Sequence, residues 1–192
     1  MASAMTSSLA GEKAIQKHKF EQLSLRFIEQ LHLAQNYTED SYYTDTWREW
    51  NESFSQTHSP PPLEFCASFA AQMFPLGTWF PEQELDTILS ELLTEQELQE
   101  IAEEDLIGDP VLIGEAAPSP LLHLSSWKTF QSLGQIAALK KHSGYDLRKA
   151  ETIIEWGGGY GNFAKCVWRL RQKPQTYILI DTPYFCVLQW LY

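Results

Sequence analysis

The stretch from Thr152 to Thr182, TIIEWGGGYGNFAKCVWRLRQKPQTYILIDT, decides the fold of this chain. It begins with a short apolar run at 153–154, continues through a glycine-rich turn at 157–161 and then shows helical periodicity. A second apolar run at 177–180 follows, and Asp181 comes directly after it. The order strand, tight turn, helix, strand and acid is typical of the opening unit of a nucleotide-binding α/β sheet.

The glycines of this turn predict a ligand-facing backbone. Without a Cβ, the chain at Gly157, Gly159 and Gly161 can turn sharply off the strand and approach a bound molecule closely. Asp181 lies at the carboxyl end of the second strand, where a carboxylate can accept hydrogen bonds from the hydroxyls of a ribose. Asn162 is suited to cap the helix after the turn. That helix carries one apolar face, at Phe163, Cys166, Val167 and Leu170.

Glu155, two residues before the first glycine, distinguishes between ligand classes. A dinucleotide would place a doubly charged pyrophosphate on the turn, and a neighbouring carboxylate would repel it. S-adenosylmethionine (SAM) has no phosphate, and its cationic sulfonium and α-amino group would be attracted by a carboxylate. Glu155 therefore favours SAM over a nicotinamide cofactor. A nicotinamide-linked enzyme is kept as a third hypothesis, after a SAM-dependent methyltransferase and the interaction module described below.

The spacing E-x-G-x-G-x-G, formed by Glu155 and the three glycines, resembles the first motif of class I SAM-dependent methyltransferases. Asp181 is similar to the acidic end of their second strand. More narrowly, IIEWGGGYGN and YILIDTPYFCVLQWLY resemble the sugar O-methyltransferase family over residues 150–192. Trp156 and Thr182 depart from the family pattern, at positions that leave the ligand-facing backbone unchanged. That family also carries a mostly helical region ahead of its catalytic domain.

The resemblance implies a function and a cofactor site. The function is SAM-dependent O-methyl transfer to the hydroxyl of a small molecule, sugar or glycan. By the resemblance, Glu155 orients the methionine end of SAM, the three glycines line it, and Asp181 holds the ribose. Thr182 or Tyr184 flanks the adenosine. No catalytic base is assigned, because a lone histidine such as His123 is more often structural than catalytic.

The fold class expected for the whole chain is α/β. A helical region over 1–120 precedes the start of a SAM-binding domain over 121–192, which holds the first βαβ unit of an incomplete Rossmann-like sheet. A class I methyltransferase similar to this chain would have a seven-stranded sheet, and two strands are evident here. We therefore expect the sequence to be the N-terminal part of a longer enzyme, with no turnover of its own.

Local patterns define the helices of the first region. Residues 1–11 read as a frayed tail, and a first helix is predicted over 12–36. Thr94 with Glu97 matches a capping box, and Ser125 or Ser126 can cap a helix that runs through Lys141. The apolar face of the first helix is Phe20, Leu23, Phe27, Leu31 and Ala34.

An aromatic segment follows the first helix. Trp47, Trp50 and Phe54 fit one helical face, together with Tyr42 and Tyr43 nearby. Packing onto a core is the preferred interpretation, and a platform for stacking sugars is the alternative.

Charge limits the partners of the chain. The 192 residues carry a formal net charge of −11, which opposes binding to a nucleic-acid backbone. Between Glu82 and Glu115 lie twelve carboxylates and no Lys or Arg. A solvated acidic face is the favoured interpretation of that run, and no metal site is assigned because the run lacks an organising loop. The alternative function is an acidic helical interaction module carrying a non-catalytic methyltransferase remnant.

Cysteine content and the N-terminal sequence bear on the compartment. Cys66, Cys166 and Cys186 show no metal-ligand spacing and are predicted to be reduced and mostly buried. The first residues lack the apolar core of a signal peptide, and no run approaches the length of a membrane span. A cytoplasmic protein without membrane contact is expected.

Overall fold

The computed structural model describes residues 2–36, 44, 45, 47–49, 52, 56, 87, 89–102, 104 and 125–192. Side chains are described from residue 14 onward, with that of Trp127 excepted. The predictions for Cys66, His123, Trp50, Phe54 and the tyrosines at 42 and 43 lie outside these residues.

Five helices and two strands make up the described elements. The helices are α1 (Ala2–Gln35), α2 (Glu95–Ala102), α3 (Trp127–Ser143), α4 (Asn162–Leu170) and α5 (Pro183–Leu191). The strands are β1 (Thr152–Trp156) and β2 (Thr176–Ile180), and a 3₁₀ turn, Leu147–Lys149, precedes β1. Further helical residues occur at 45, 47–49, 52, 87 and 89–92. This mixture agrees with the α/β class.

The two strands form a parallel sheet, with α4 as the crossover between them. Thr152 pairs with Thr176 and Trp156 with Ile180, so the carboxyl ends of both strands lie side by side. Gly157 completes the last pair, because its amide donates to the Ile180 carbonyl at 2.8 Å. The glycine turn and Asp181 therefore leave the sheet at the same edge.

Two apolar cores hold the helices together. The first joins α2, α3, α4 and β1, with Ile101, Leu133 and Val167 almost fully buried. The second joins α1 to α5, with Phe27 and Leu188 at its centre. Trp47 packs edge-on against Phe185 at 5.9 Å in this second core, as the packing interpretation predicts. Both cores contain residues from each side of position 120, where the domain boundary is predicted.

One face of the sheet is covered and the other is open. Ile153 is buried, and Tyr177 packs partly against the first core. On the opposite face the side chains of Ile154, Trp156 and Ile178 are exposed, Trp156 by 84%. The apolar runs of the sequence are thus half-buried strands, in which successive side chains point to opposite faces.

The helix caps largely confirm the sequence patterns. Thr94 and Glu97 exchange hydrogen bonds, with the Thr94 amide donating to Glu97 Oε2 at 2.8 Å and the Glu97 amide to Thr94 Oγ1 at 3.2 Å. Ser126 Oγ accepts from the Thr129 amide and caps α3, and Gly144 ends this helix in the left-handed conformation.

The predicted tail at 1–11 is wrong, because α1 begins at Ala2. The small residues and methionines of this segment are compatible with a helix, and Gly11 is the single strong helix opponent in it. In the described part of the chain, no helix combines the length and apolarity required to cross a membrane.

Candidate functional site

The glycine turn opens toward solvent at the carboxyl edge of the sheet. Gly157, Gly159 and Gly161 have φ angles of +75°, +58° and +100°, which side chains rarely tolerate. Around Gly157 and Gly159, no described atom lies within 4 Å of the position that a Cβ would take. The turn therefore presents a bare backbone surface with room for a ligand.

Gly158 serves a different purpose, which the alternate-glycine motif did not indicate. A Cβ at this position would lie 2.5 Å from Leu179 Cδ2 and 3.2 Å from the carboxyl group of Glu155. Gly158 thus allows the turn to lie directly on β2 and on the Glu155 side chain. The run of three consecutive glycines was the available signal for this close approach.

Asp181 is bonded into the glycine turn. Its Oδ2 accepts from the Gly159 amide at 2.9 Å and from Gln189 Nε2 at 3.1 Å, and its Oδ1 accepts from the Thr182 amide at 2.8 Å. Gln189 Nε2 also donates to the Gly159 carbonyl at 2.7 Å. The structure therefore brings Asp181 and Gly159 together, as a shared site requires, and adds Gln189, whose role the sequence did not indicate.

Glu155 lies beneath the same turn, on the covered face of the sheet. It is half-buried, and its Oε2 accepts a hydrogen bond from the Tyr177 hydroxyl at 2.7 Å. Tyr177 was not assigned to the site from the sequence. Its alternate position in β2 could have indicated it, since the parallel register places it on the same face as Glu155.

Burial raises the pKa values of both carboxyl groups. The pKa of Glu155 rises because of its burial, with the Tyr177 hydrogen bond opposing and the charge of Asp181 adding to the increase. Burial likewise raises the pKa of Asp181, against the opposing hydrogen bonds from Thr182, Gly159 and Gln189. Two carboxyl groups thus share one partly desolvated region of negative potential.

The two remaining predicted residues, Thr182 and Tyr184, lie in different surroundings. Thr182 occupies the N-cap position of α5, and its hydroxyl is buried with no hydrogen-bond partner among the described residues. Tyr184 is buried in the second core beside Phe185, and burial raises the pKa of its hydroxyl to about 12. The core position of Tyr184 places its ring among apolar side chains.

The prediction that Asn162 caps α4 is wrong. Gly161 holds the N-cap position, and Asn162 is the first residue of the helix. The side chain of Asn162 is buried between helices: its Oδ1 accepts from Thr129 Oγ1 at 3.3 Å, and its Nδ2 donates to Ser132 Oγ at 3.1 Å. Asn162 therefore fixes α3 against the start of α4, next to the glycine turn.

A buried ion pair connects the acidic run to α4. Lys165 Nζ donates to Glu104 Oε2 at 2.6 Å, and the two side chains are only 9% and 2% exposed. Glu104 Oε1 also accepts from the Ser126 amide at 3.0 Å. Lys165 is not part of the predicted apolar face of α4, yet the ion pair leaves its side chain almost fully covered.

Other predicted reactive groups do not form a second site. Within the described residues, no cluster of three His, Cys, Asp or Glu side chains could hold a metal ion. Cys166 is free and buried as predicted, and burial raises the pKa of its thiol to about 11. Cys186 is also free but exposed, which corrects its predicted burial. Its position on the outer side of α5 explains the difference.

A shallow groove lies at the opposite, amino-terminal end of β2. Its cations are already engaged: Arg169 donates to the Ile101 carbonyl at 3.2 Å, Arg171 stacks on the ring of Trp168, and Lys173 pairs with Glu151 at 3.2 Å.

Comparisons with known proteins found no match among family models, curated proteins or solved structures.

Proposed function

We propose that this chain binds SAM at the glycine turn and belongs to a SAM-dependent O-methyltransferase acting on a sugar or glycan hydroxyl. The observation that carries the proposal is the placement of two carboxyl groups, Glu155 and Asp181, against one open glycine turn. The Rossmann-like identity of the two-stranded sheet, and of the βαβ unit it belongs to, is part of this proposal.

The charge of the turn supports SAM over a dinucleotide. The side chain of Asp181 is hydrogen-bonded to Gly159, and that of Glu155 lies against Gly158. A pyrophosphate on this backbone would approach the Glu155 carboxylate and be repelled by it, whereas a sulfonium and an ammonium would be attracted. The bare positions at Gly157 and Gly159 supply the space that such a ligand needs.

Each residue has a distinct role in the proposed complex. Glu155, oriented by Tyr177, would attract the cationic methionine end, and the turn backbone would lie along it. Asp181 would accept hydrogen bonds from the ribose hydroxyls, and Thr182 would flank the nucleoside. SAM, when bound, supplies a methyl group on a cationic sulfur to an acceptor nucleophile. Exclusion of water from the turn would strengthen these charge interactions.

The test is calorimetric titration of the 192-residue chain with SAM and with its product S-adenosylhomocysteine. NAD and ADP-ribose serve as competing nucleotides that carry a pyrophosphate. We expect binding of the two sulfur ligands and none of the pyrophosphates. Preferential binding of NAD would overturn the proposal and restore the nicotinamide hypothesis.

Two substitutions link the binding to the site. Asp181→Ala and Glu155→Gln should each weaken SAM binding by about ten- to a hundredfold, because a hydrogen bond to a charged group contributes about 1.5–3 kcal/mol. Glu151→Gln is the matched control, since Glu151 adjoins the same strand but is 85% exposed and lies at its other end. Equal SAM affinities for the wild type and all three variants would contradict the assignment of Asp181 and Glu155 to the SAM site.

The interaction-module alternative receives no specific support from the described residues. Two carboxylates of the acidic run have intramolecular partners: Glu97 caps α2, and Glu104 is buried against Lys165. Both groups therefore contribute to the fold, and Glu104 is also covered by it.

A further inference from the structure

Gln189 on α5 closes a small hydrogen-bond network at the glycine turn. Its side-chain nitrogen donates to the Gly159 carbonyl at 2.7 Å and to Asp181 Oδ2 at 3.1 Å. The Gly159 amide donates to the same Asp181 oxygen at 2.9 Å. The Gly159 amide is therefore held by Asp181, at the end of β2, and the Gly159 carbonyl is held by Gln189, on α5.

The chemistry of the acceptors fixes the orientation of the Gln189 amide. A carbonyl oxygen and a carboxylate oxygen both require a donor, so the NH₂ group must face them and the amide oxygen must point away. The Gln189 Cγ would also lie 3.7 Å from a Cβ at Gly161, which places the side chain in contact distance of the turn. Gln189 is thus matched to the turn in both shape and polarity.

The second core anchors α5 and so keeps Gln189 in this position. Leu188 and Leu191, on either side of it in sequence, are each only 1% exposed in the second core. Because α5 packs on α1 through that core, the helix presents Gln189 to the turn from a rigid element.

We infer that Gln189 is a positioning residue that sets the Asp181 carboxylate and the Gly159 backbone for the nucleoside of the cofactor. This inference rests on the proposed function. Gln189 contacts the turn and the acid from the side, and the ribose would be bound by Asp181 itself. The network also limits motion of Gly159, because its amide and its carbonyl are both engaged before a ligand arrives.

The charge state of Asp181 depends on the same contact. Gln189 favours the ionised carboxylate, as do the Gly159 and Thr182 amides, whereas burial disfavours it. Other groups near Asp181 are Glu155, whose charge interacts with it, and the Cys186 thiol, which donates to the Asp181 carbonyl at 3.6 Å. Loss of the Gln189 donor should therefore raise the pKa of Asp181.

The first test compares Gln189→Met with Gln175→Met. Gln175 is a matched control, because its side-chain nitrogen donates to the Leu147 carbonyl at 2.8 Å away from the turn. Gln189→Met should weaken S-adenosylhomocysteine binding about tenfold, and Gln175→Met by less than about twofold. Equal affinities of the two variants would overturn the inference.

Gln189→Glu separates positioning from simple packing. It preserves the shape of the side chain but turns an acceptor toward the Gly159 carbonyl and Asp181. Binding should therefore be weaker than in Gln189→Met at neutral pH. If Gln189 only filled space, the isosteric variant would be the milder of the two, and that order would contradict the inference.

The pH dependence gives an independent readout. Affinity should fall as the pH falls through the pKa of Asp181, since only the ionised carboxylate accepts two hydroxyl hydrogen bonds. In Gln189→Met the midpoint of this loss should move to higher pH. An unchanged midpoint, with a uniformly lower affinity, would assign Gln189 a merely structural role.

Hydrogen exchange in the free protein keeps the two proposals distinguishable. The Gly159 amide should exchange about tenfold faster in Gln189→Met than in the wild type or in Gln175→Met. If the wild type binds neither sulfur ligand, the proposed function fails, and this exchange measurement still decides whether Gln189 holds the turn. Unchanged Gly159 exchange would overturn the inference even if the ligand binds.

Discussion

Replacing Gly159 with alanine tests whether the turn faces a ligand, and Gly144 provides its matched control. Both glycines are left-handed, with φ of +58° and +71°, and neither has a described atom within 4 Å of a potential Cβ. Alanine in this conformation costs about 1–2 kcal/mol at either position. The stability loss should therefore be nearly equal, which corresponds to a melting temperature lower by roughly 2–8 °C for a chain of this size.

Ligand binding should separate the two variants. The new methyl group at Gly159 projects into the open space of the turn, whereas that at Gly144 lies at the end of α3. Gly159→Ala should reduce S-adenosylhomocysteine affinity at least tenfold, about 1.4 kcal/mol. Gly144→Ala should leave it unchanged.

The assays are thermal unfolding followed by circular dichroism and titration calorimetry at 25 °C. The thermal melts show whether both variants are folded at 25 °C, in which case the measured affinities need no correction for unfolded protein. A Gly159→Ala variant that binds the ligand like the wild type, or a Gly144→Ala variant that loses as much affinity, would show that the turn does not face the ligand.

Two further predictions concern stability. Lys165→Met should destabilise the protein by about 3–5 kcal/mol, because it leaves the Glu104 carboxylate buried without its cation. The double variant Lys165→Met/Glu104→Gln should recover much of this loss in thermal melts. Additive losses from the two substitutions would contradict the pairing. Asp146→Asn should cost up to about 2 kcal/mol near neutral pH, since hydrogen bonds from Arg148 lower the pKa of Asp146 from 3.8 to about 2. A depressed pKa contributes stability above the unfolded value and loses it as the pH falls toward 2, so urea midpoints of Asp146→Asn and wild type should converge from pH 6 to pH 3; a pH-independent gap would disprove this.

The sequence predicted the local elements of the site well, because their signals are local. The first apolar run ends in the glycine turn and the second in Asp181, which predicted that the turn and the acid lie at the same edge of the sheet. The parallel register confirms that arrangement. Thr94 was identified as a cap from residues within one helical turn, and the cap of α3 was narrowed to Ser125 or Ser126, of which the structure shows Ser126. These features depend on short-range stereochemistry, which is encoded within a few positions.

The missed features depend on packing between distant segments. Gln189 reaches Gly159 across 30 positions, and Lys165 reaches Glu104 across 61. No short pattern reports such a pairing. Asn162 was misassigned for the same reason: its residue type suits a cap, but its buried partner Thr129 lies on another helix.

The packing of α1 on α5 has a consequence for the order of folding. The side chains of Phe27 and Leu31 are buried by residues of α5, more than 150 positions later in the chain. During synthesis, which proceeds from the N-terminus, α1 emerges long before its partner exists. The apolar side chains of α1 therefore stay exposed to water, or transiently covered by other residues, until α5 has been synthesised. The entropic cost of closing so long a loop delays the contact further. Assembly of the second core, and with it the final placement of α5, is thus a late event in the folding of this protein.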